Sequence, residues 1–346
     1  MHDYANQISV LLPVHNGGKY LSLAIESILR QTCSNIEFVI IDDGSTDESW
    51  DIIREYSRKD SRIRPYKKKS TGLIDTLNKG VALCRNEMIA RMDADDISIS
   101  DRLEKQRSFF LNNPDLVLLG GSIVVINEAG RILKTNKAHI NCDNVSRRLL
   151  VSSCIYHPTT MFKKSAVTKV GGYRSTFKGA EDYDLWLRLR EIGKVNNLED
   201  PLLYYRIHEG SVTSKNLETQ ALSTALALAC LVYREQDGTD EEILSACADK
   251  ISDIENLLKI LSFRSERLKT RCERSYYRSL LYSGRRLDQP GTARALDNFI
   301  RMHEPEDVGA MQEYKAVLLR AVYFSVIRKD LRFVNYLTRY FKILFR

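Results

Sequence analysis

Residues 91–96 read RMDADD, so Asp93, Asp95 and Asp96 crowd into four positions behind the short apolar approach EMIA. Like charges at that spacing repel, and a fold must either solvate or bridge them. A strand that ends in Asp-x-Asp turns its backbone at the middle residue, here Ala94, so both flanking carboxylates can reach a sheet rim. Two oxygen donors there suit a hard cation that keeps open positions for phosphate oxygens and water. The competing reading is a solvated loop whose aspartates cap a helix starting near Asp101. An EF-hand is excluded, because Ile97 stands at a ligand position and the loop lacks the turn glycine.

Two further clusters have residue types that could meet a nucleotide. In DDGSTD, residues 42–47, Asp42 and Asp43 follow an apolar run, and Asp43 could accept a hydrogen bond from a base or ribose. Gly44 lets the backbone turn there, while Ser45, Thr46 and Asp47 read as turn and cap. In LLPVHN, residues 11–16, Pro13 ends a run and leaves His15 and Asn16 at its mouth. A flat imidazole in that place could stack on a base; a structural histidine is the alternative.

These clusters need elements that bring them together. Residues 8–13 and 36–41 are continuous apolar runs, as expected of strands covered on both faces. Residues 19–31 carry Leu21, Ala24, Ile25, Ile28 and Leu29 on one helical face. Ser45 and Glu48 have capping-box spacing, which predicts a helix from near Thr46. Residues 63–67 read as a weaker strand, 71–84 as a helix and 87–92 as a strand. The alternation predicts an α/β fold, Rossmann-like, with a mostly parallel sheet. Such sheets bind ligands at the carboxyl ends of their strands. All three clusters fall there and should converge on one rim.

Later segments extend the pattern. Residues 101–112 read as a helix, 113–132 as strands with a turn at 128–130, 180–193 as a helix offering Tyr183, Trp186, Leu187 and Leu189 for packing, and 202–208 as a short strand. Beyond about residue 218 the pattern is helical, over 220–234, 241–250, 251–262, 264–282, 292–303 and 313–346. The expected organisation is a catalytic domain over 1–217 and a helical C-terminal domain over 218–346.

The chain has 346 residues, long for one compact domain. Its 43% hydrophobic and 28% charged residues describe a globular protein. The net charge of +7 suits an anionic partner such as a nucleotide, a phosphorylated acceptor or an anionic membrane surface. No recognised nucleic-acid module is visible, and no nucleic-acid partner is expected. Seven cysteines, an odd number without C-x-x-C spacing, form neither a disulfide framework nor a zinc site and point to a reducing compartment. The N-terminus lacks a signal-peptide pattern, and no stretch reaches the ~18 apolar residues of a spanning helix. In residues 331–346, Val334, Leu337, Phe341, Leu344 and Phe345 fall on one helical side and Arg332, Arg339, Lys342 and Arg346 on another. That pattern fits a membrane-surface helix or a tail packed on its neighbours; homodimerisation through 220–282 is a third use of this region.

Five stretches in order carry a family resemblance: ISVLLPVHNGGKYLSLAIESILRQT, FVIIDDGSTDES, IARMDADDIS, GGY followed by AEDYDLWLRL, and LLYYRIHEGSVTS. Over residues 8–215 the chain resembles the family 2 glycosyltransferases with a GT-A fold. The resemblance implies a nucleotide-sugar donor, with UDP the leading carrier, Mn²⁺ or Mg²⁺, and an inverting direct displacement. It implies a glycan or undecaprenyl-diphosphate-linked glycan acceptor in cell-surface polysaccharide synthesis, of O-antigen or capsule type. It places the protein in the cytoplasm, peripheral on the inner face of the plasma membrane.

Carried over by position, Pro13, His15, Asn16, Asp42 and Asp43 would line the nucleoside, with Asp43 against the base. Asp93 and Ala94 would lie by the ribose and metal, and Asp95 would be the principal metal ligand. His208, with Arg206, would engage the metal or diphosphate. Asp182 matches the catalytic base, Glu181 a positioning acid, Trp186 an aromatic of the acceptor pocket, and His157 a residue near the acceptor. The Gln-x-x-Arg-Trp motif of processive members is absent, so a single sugar should be added. The alternative is a sugar nucleotidyltransferase, but PVHNGGKY is a poor version of its Gly-rich loop and AEDYDLW has no task there.

Overall fold

The computed structural model describes residues 7–208, 217–247 and 254–262, together with residues 269, 272–273 and 275–276. The chain divides into two compact units, Met1–Ser211 and Val212–Arg346.

The first unit starts with four strands: β1 (Ile8–Val14), β2 (Ile36–Asp43), β3 (Ile63–Lys68) and β4 (Met88–Arg91). They pair in parallel in the order β3-β2-β1-β4. β1 is buried throughout and β2 at all but Glu37. Both faces are covered by the crossover helices that parallel strands require: α1 (Gly18–Leu29), α2 (Ser49–Lys59) and α3 (Leu73–Leu83). α1 turns Leu21, Ala24, Ile25 and Ile28 inward, the face its periodicity predicts. These side chains pack with Val10, Leu12, Phe38 and Ile40 in the main core.

Beyond β4 the sheet is mixed. The chain continues through β5 (Ile97–Ser98), α4 (Arg102–Leu111), β6 (Leu116–Ile126), β7 (Ile132–Asn136), α5 (Cys142–Leu149), a tight turn at His157–Thr159, β8 (Met161–Lys163), α6 (Lys164–Lys169), α7 (Glu181–Leu189) and β9 (Lys194–Arg206). The sheet order runs on from β4 as β8-β6-β9-β5, with β7 added to β6. β8 is antiparallel to both β4 and β6, and β9 is parallel to β6. β4, β6 and β9 therefore end on the same edge as β1 and β2. The turn before β8 arrives at that edge too, because its strand runs the other way.

One local expectation fails for a tertiary reason. α2 begins at Ser49, and no side-chain cap bond is made by Glu48. The Ser45 hydroxyl is engaged elsewhere, accepting the Asn16 N–H at 2.9 Å. Asp47 takes over the helix start. It accepts the Ser49 N–H at 3.1 Å and the Gly18 N–H at 3.0 Å.

The second unit contains α8 (Leu217–Asp237), α9 (Glu241–Cys247) and α10 (Ile254–Ser262). No helix among the described residues is long and apolar enough to cross a membrane. The helices expected over 292–303 and 313–346, the basic tail at 331–346 and most of 264–282 lie outside the described residues. The seven cysteines are all free.

Gly44 carries the turn after β2 at φ +70°, and a Cβ there would lie 2.6 Å from the Ser70 backbone nitrogen. Gly130 has φ +79° but open space around it. We expect Gly44→Ala to cost about 1–3 kcal/mol in urea denaturation, and Gly130→Ala to fall at or below the low end of that range.

Candidate active site

Strand register assembles the rim. Leu11 pairs with Arg91 and Val14 with Asp42, so the ends of β1, β2 and β4 lie side by side. The loop after β1 packs on the acid loop so closely that a methyl on Gly17 would lie 3.2 Å from the Ala94 Cβ. The three polar clusters named from sequence therefore meet.

Asp93, Asp95 and Asp96 each offer a carboxylate oxygen within 4.8 Å of the others. Arg91, 2% exposed, bridges part of that charge. Its Nη1 donates to Asp93 Oδ2 at 2.7 Å and its Nη2 lies 2.5 Å from Asp93 Oδ1. Burial still pushes the Asp93 carboxyl up, against the pull of Arg91. Asp96 is buried; its Oδ1 accepts the Arg206 N–H at 2.8 Å and its Oδ2 has no partner. Burial, then the charges of Asp95 and Asp93, hold its carboxyl well above the usual range. Asp95 Oδ2 accepts from His208 Nε2 at 2.9 Å.

This donor set, carboxylate oxygens with one imidazole, fits Mg²⁺ or Mn²⁺. Asp95 and His208 would hold the ion in place of their bond to each other, with the unpartnered Oδ2 of Asp96 beside them, while both oxygens of Asp93 are engaged by Arg91. Arg206 also has a structural task. Its Nε donates to the Asp95 carbonyl at 2.8 Å, and its Nη1 to the carbonyls of Asn127 and Glu128 at 3.2 and 3.1 Å. Its guanidinium lies 4.4 Å from the Tyr20 ring centroid. These contacts brace the backbone of the acid loop.

On the nucleoside side, His15 is exposed and its Nδ1 donates to the Asp43 carbonyl at 2.9 Å, leaving a ring face for stacking. Pro13 is buried inside β1. Asn16, at φ +52°, accepts the Thr46 N–H at 2.8 Å and so ties the two loops together. Asp42 Oδ1 accepts the Ser45 N–H at 3.0 Å, while its buried Oδ2 has no hydrogen-bond partner. Asp43 accepts from Lys68 Nζ at 2.6 Å and from the N–H groups of Thr71 and Gly72 at 2.9 Å each. Burial alone would raise its carboxyl; Lys68 and the two N–H groups more than reverse this and hold it below the usual range. Three of its roughly four acceptor positions are thus engaged in starting α3.

On the opposite side, Asp182 and Glu181 open α7, where the helix dipole favours negative charge. Glu181 accepts the Gly179 N–H at 2.8 Å, and burial raises its carboxyl. Asp182 accepts the Tyr183 N–H at 2.7 Å. Burial, then the Glu181 charge, push its carboxyl up to about 7, with Arg91 pulling the other way. Glu181 also feels the Asp93 charge. Both acid groups, the one after β4 and the one opening α7, thus lie within the field of Arg91. Trp186 is fully buried and meets the His157 ring edge-on at 5.5 Å, so any influence it has on a ligand passes through that ring.

Four residues of this arrangement had no assigned role in the sequence: Arg91, Asn78, Tyr173 and Asp184. Only Arg91 gave a local signal, a cation placed directly before the acids. Asp184 is buried between Arg174 and Arg188, and Arg188 donates to the carbonyls of Val170 and Gly172 at 2.6 and 2.8 Å. That network ties the loop before α7 to the helix.

The profile of glycosyl transferase family 2 matches residues 9–171. The O-antigen biosynthesis glycosyltransferase WbnJ of Escherichia coli is 40% identical over 218 residues, covering 61% of this chain and 84% of WbnJ. The chain belongs to glycosyl transferase family 2. Membership removes the nucleotidyltransferase alternative. The fold is likewise similar to that of S. aureus TarS 1–349 in complex with UDP-GlcNAc, with TM-score 0.56, 20% identity and coverage of 95% of this chain and 89% of that one. It is also similar to the mannosyltransferase PcManGT from Pyrobaculum calidifontis in complex with GDP-Man and Mn²⁺, with TM-score 0.52, 14% identity and coverage of 96% and 85%. This family 2 enzyme therefore has the GT-A architecture in its first unit.

Removing the charge of Arg91 should unsettle the rim. In Arg91→Met we expect a loss of about 2–4 kcal/mol by chemical denaturation, the lower part of the scale for broken buried pairs because Asp93 keeps 32% of its side chain in water. Arg91→Lys should lose less than half as much.

Proposed function

We propose that this enzyme moves one sugar from a nucleotide-sugar donor, UDP-linked, to a glycan or lipid-linked glycan acceptor in cell-surface polysaccharide assembly, with inversion and with Asp182 as base. The observation that carries the reading is that the acid loop after β4 and the helix Asp182 opens meet at one sheet edge, where β8 pairs with β4 and His157, in the turn before β8, packs against Trp186 of α7. Donor and base would then face each other across a single site. WbnJ acts in O-antigen biosynthesis by its name, TarS was captured with UDP-GlcNAc and PcManGT with Mn²⁺. WbnJ supports the polysaccharide setting, TarS a UDP-linked donor and PcManGT, which also holds GDP-Man, a divalent cation.

In that reading His15 stacks on the base, and Asp43 keeps the loop at Lys68–Gly72 in place around it. Asp93 and Ala94 lie by the ribose. Asp95 and His208 hold the cation. A bound Mn²⁺ or Mg²⁺ supplies positive charge for the leaving diphosphate. The acceptor oxygen attacks the anomeric carbon from the face opposite the diphosphate, the bond from that carbon to the phosphate oxygen breaks, and Asp182 takes the acceptor's proton. One displacement inverts the centre, so no enzyme nucleophile is required. Glu181 sets the charge around Asp182. The basic pattern over 331–346, where it meets a membrane surface rather than packing on its neighbours or on a second copy, would keep the enzyme near lipid-linked acceptors.

Calorimetric titration with UDP, GDP and dTDP, with and without Mn²⁺, tests the donor side. UDP should bind most tightly, and binding should weaken at least tenfold without metal or in Asp95→Ala; metal-independent UDP binding removes the cation from the scheme. Asp182→Asn should bind UDP normally and lose transfer, so retained transfer removes Asp182 as base.

The base also fixes a pH dependence. Asp182 accepts a proton only when ionised, and its carboxyl titrates at about 7. Transfer should therefore rise with pH through that value and fall below it. Glu181 raises the Asp182 carboxyl, so Glu181→Gln should move this limb to lower pH. A limb that stays in place or moves upward contradicts the assignment.

A further inference from the structure

Tyr173 is held at three points. The Asn78 side chain of α3 pairs with its backbone: the amide donates to the Tyr173 carbonyl and the side-chain carbonyl accepts the Tyr173 N–H, each at 2.8 Å. Gly171 and Gly172 before it are left-handed, at φ +83° and +71°, and a methyl on Gly172 would lie 2.6 Å from Asn78 Oδ1. The third point is the hydroxyl, 2.9 Å from His157 Nε2, with the two rings 5.5 Å apart.

The pair lies by the base. His157 packs edge-on against Trp186, and Trp186 stands four residues after Asp182 on α7, on the same helix face. The charged groups around the pair are Arg91, Glu181, Asp182 and Arg188. Burial, reinforced by Arg91, holds the imidazole well below its usual value, and burial pushes the phenol up. Both groups are neutral at physiological pH. A phenol is a better donor than acceptor, so it donates to Nε2 and leaves the imidazole proton on Nδ1. A neutral, oriented N–H suits a sugar hydroxyl, and it adds no charge beside a carboxylate that must stay ready to accept a proton.

We propose that His157, with its tautomer fixed by Tyr173, is an acceptor-side hydrogen-bonding group that orients a sugar hydroxyl beside Asp182, and that Tyr173 and Asn78 are positioning residues acting through it. The inference rests on Asp182 as the base and adds a second contact to the acceptor.

Two measurements on the full chain test it. Nitrogen-15 spectra, with His157 assigned by the signal lost in His157→Gln, should show one neutral tautomer protonated at Nδ1 around neutral pH. Tyr173→Phe, which removes a single oxygen, should give a mixture of tautomers. An imidazole that protonates near about 6.5, or an unchanged spectrum in Tyr173→Phe, overturns the pair. The second measurement is UDP release from UDP-GlcNAc, UDP-galactose and UDP-glucose, with and without octyl glycosides as acceptors. Acceptor-stimulated release should fall about tenfold in Tyr173→Phe and in His157→Ala, the scale of one lost hydrogen bond. In Tyr173→Phe, UDP affinity and acceptor-independent hydrolysis should stay within about twofold of wild type. If stimulated release and hydrolysis fall together, or neither changes, the acceptor role is wrong. Asp182→Asn in the same assay reports separately on the base, because its retained transfer would sink that assignment while leaving the spectra of the pair unaffected.

Discussion

The rim of this sheet gathers negative charge, and the fold depends on how that charge is balanced. Asp93, Asp96, Glu181 and Asp182 all feel Arg91, whose guanidinium is almost wholly removed from water. A lone buried cation is costly, and so is a cluster of buried carboxylates. Placed together they offset each other. Arg102 is fully buried beside Arg91 and donates to the Arg91 carbonyl at 2.7 Å. Burial, with Arg91's repulsion, lowers Arg102 to about 9, while Asp96 and Asp93 hold it up. None of these charges is stable alone in place, so the group behaves as one unit and the effects of removing its members should not add.

Backbone contacts finish what the charges begin. Arg206 grips the Asp95 carbonyl and two carbonyls of the turn between β6 and β7, and its own N–H is taken by Asp96. The end of β9 is thereby fastened to the end of β4, although 110 residues separate Asp96 from Arg206. Fastening of this kind lets like charges stay close without the loop opening to relieve them.

Much of this was legible in the sequence because it follows from period and position. The apolar runs of β1 and β2, the buried face of α1 and the rule that ligands meet strand carboxyl ends led to the rim without coordinates. A strand near residues 157–162 was legible only through the family resemblance, because the three residues of β8 carry no periodicity; its antiparallel direction, which brings His157 to the rim, was not legible at all. The helix start after Ser45 was misread because Asn16, on another loop, captured the hydroxyl that local spacing reserved for a cap. Asn78, Tyr173 and Asp184 left no trace because their partners are chosen by packing across 95 residues in the first case and by a buried network in the last. Residue type showed which groups could bind or react; only the tertiary partners showed which were already committed.

Asp43 and Asp182 make that distinction plain. They are the same residue type, Asp43 buried and Asp182 half-buried, and burial acts to raise both. Asp43 receives Lys68 and two backbone N–H groups, and its carboxyl ends below the usual range. Asp182 receives one backbone N–H, has Glu181 as its neighbour, and rises to about 7. A carboxylate held low is a poor proton acceptor and a good structural anchor; one held near neutrality can take a proton and give it up again. The proposed division between a nucleoside-side anchor and a base is therefore written in the charges and hydrogen-bond donors each carboxylate meets: Lys68 and two N–H groups for the one, Glu181 and a single N–H for the other.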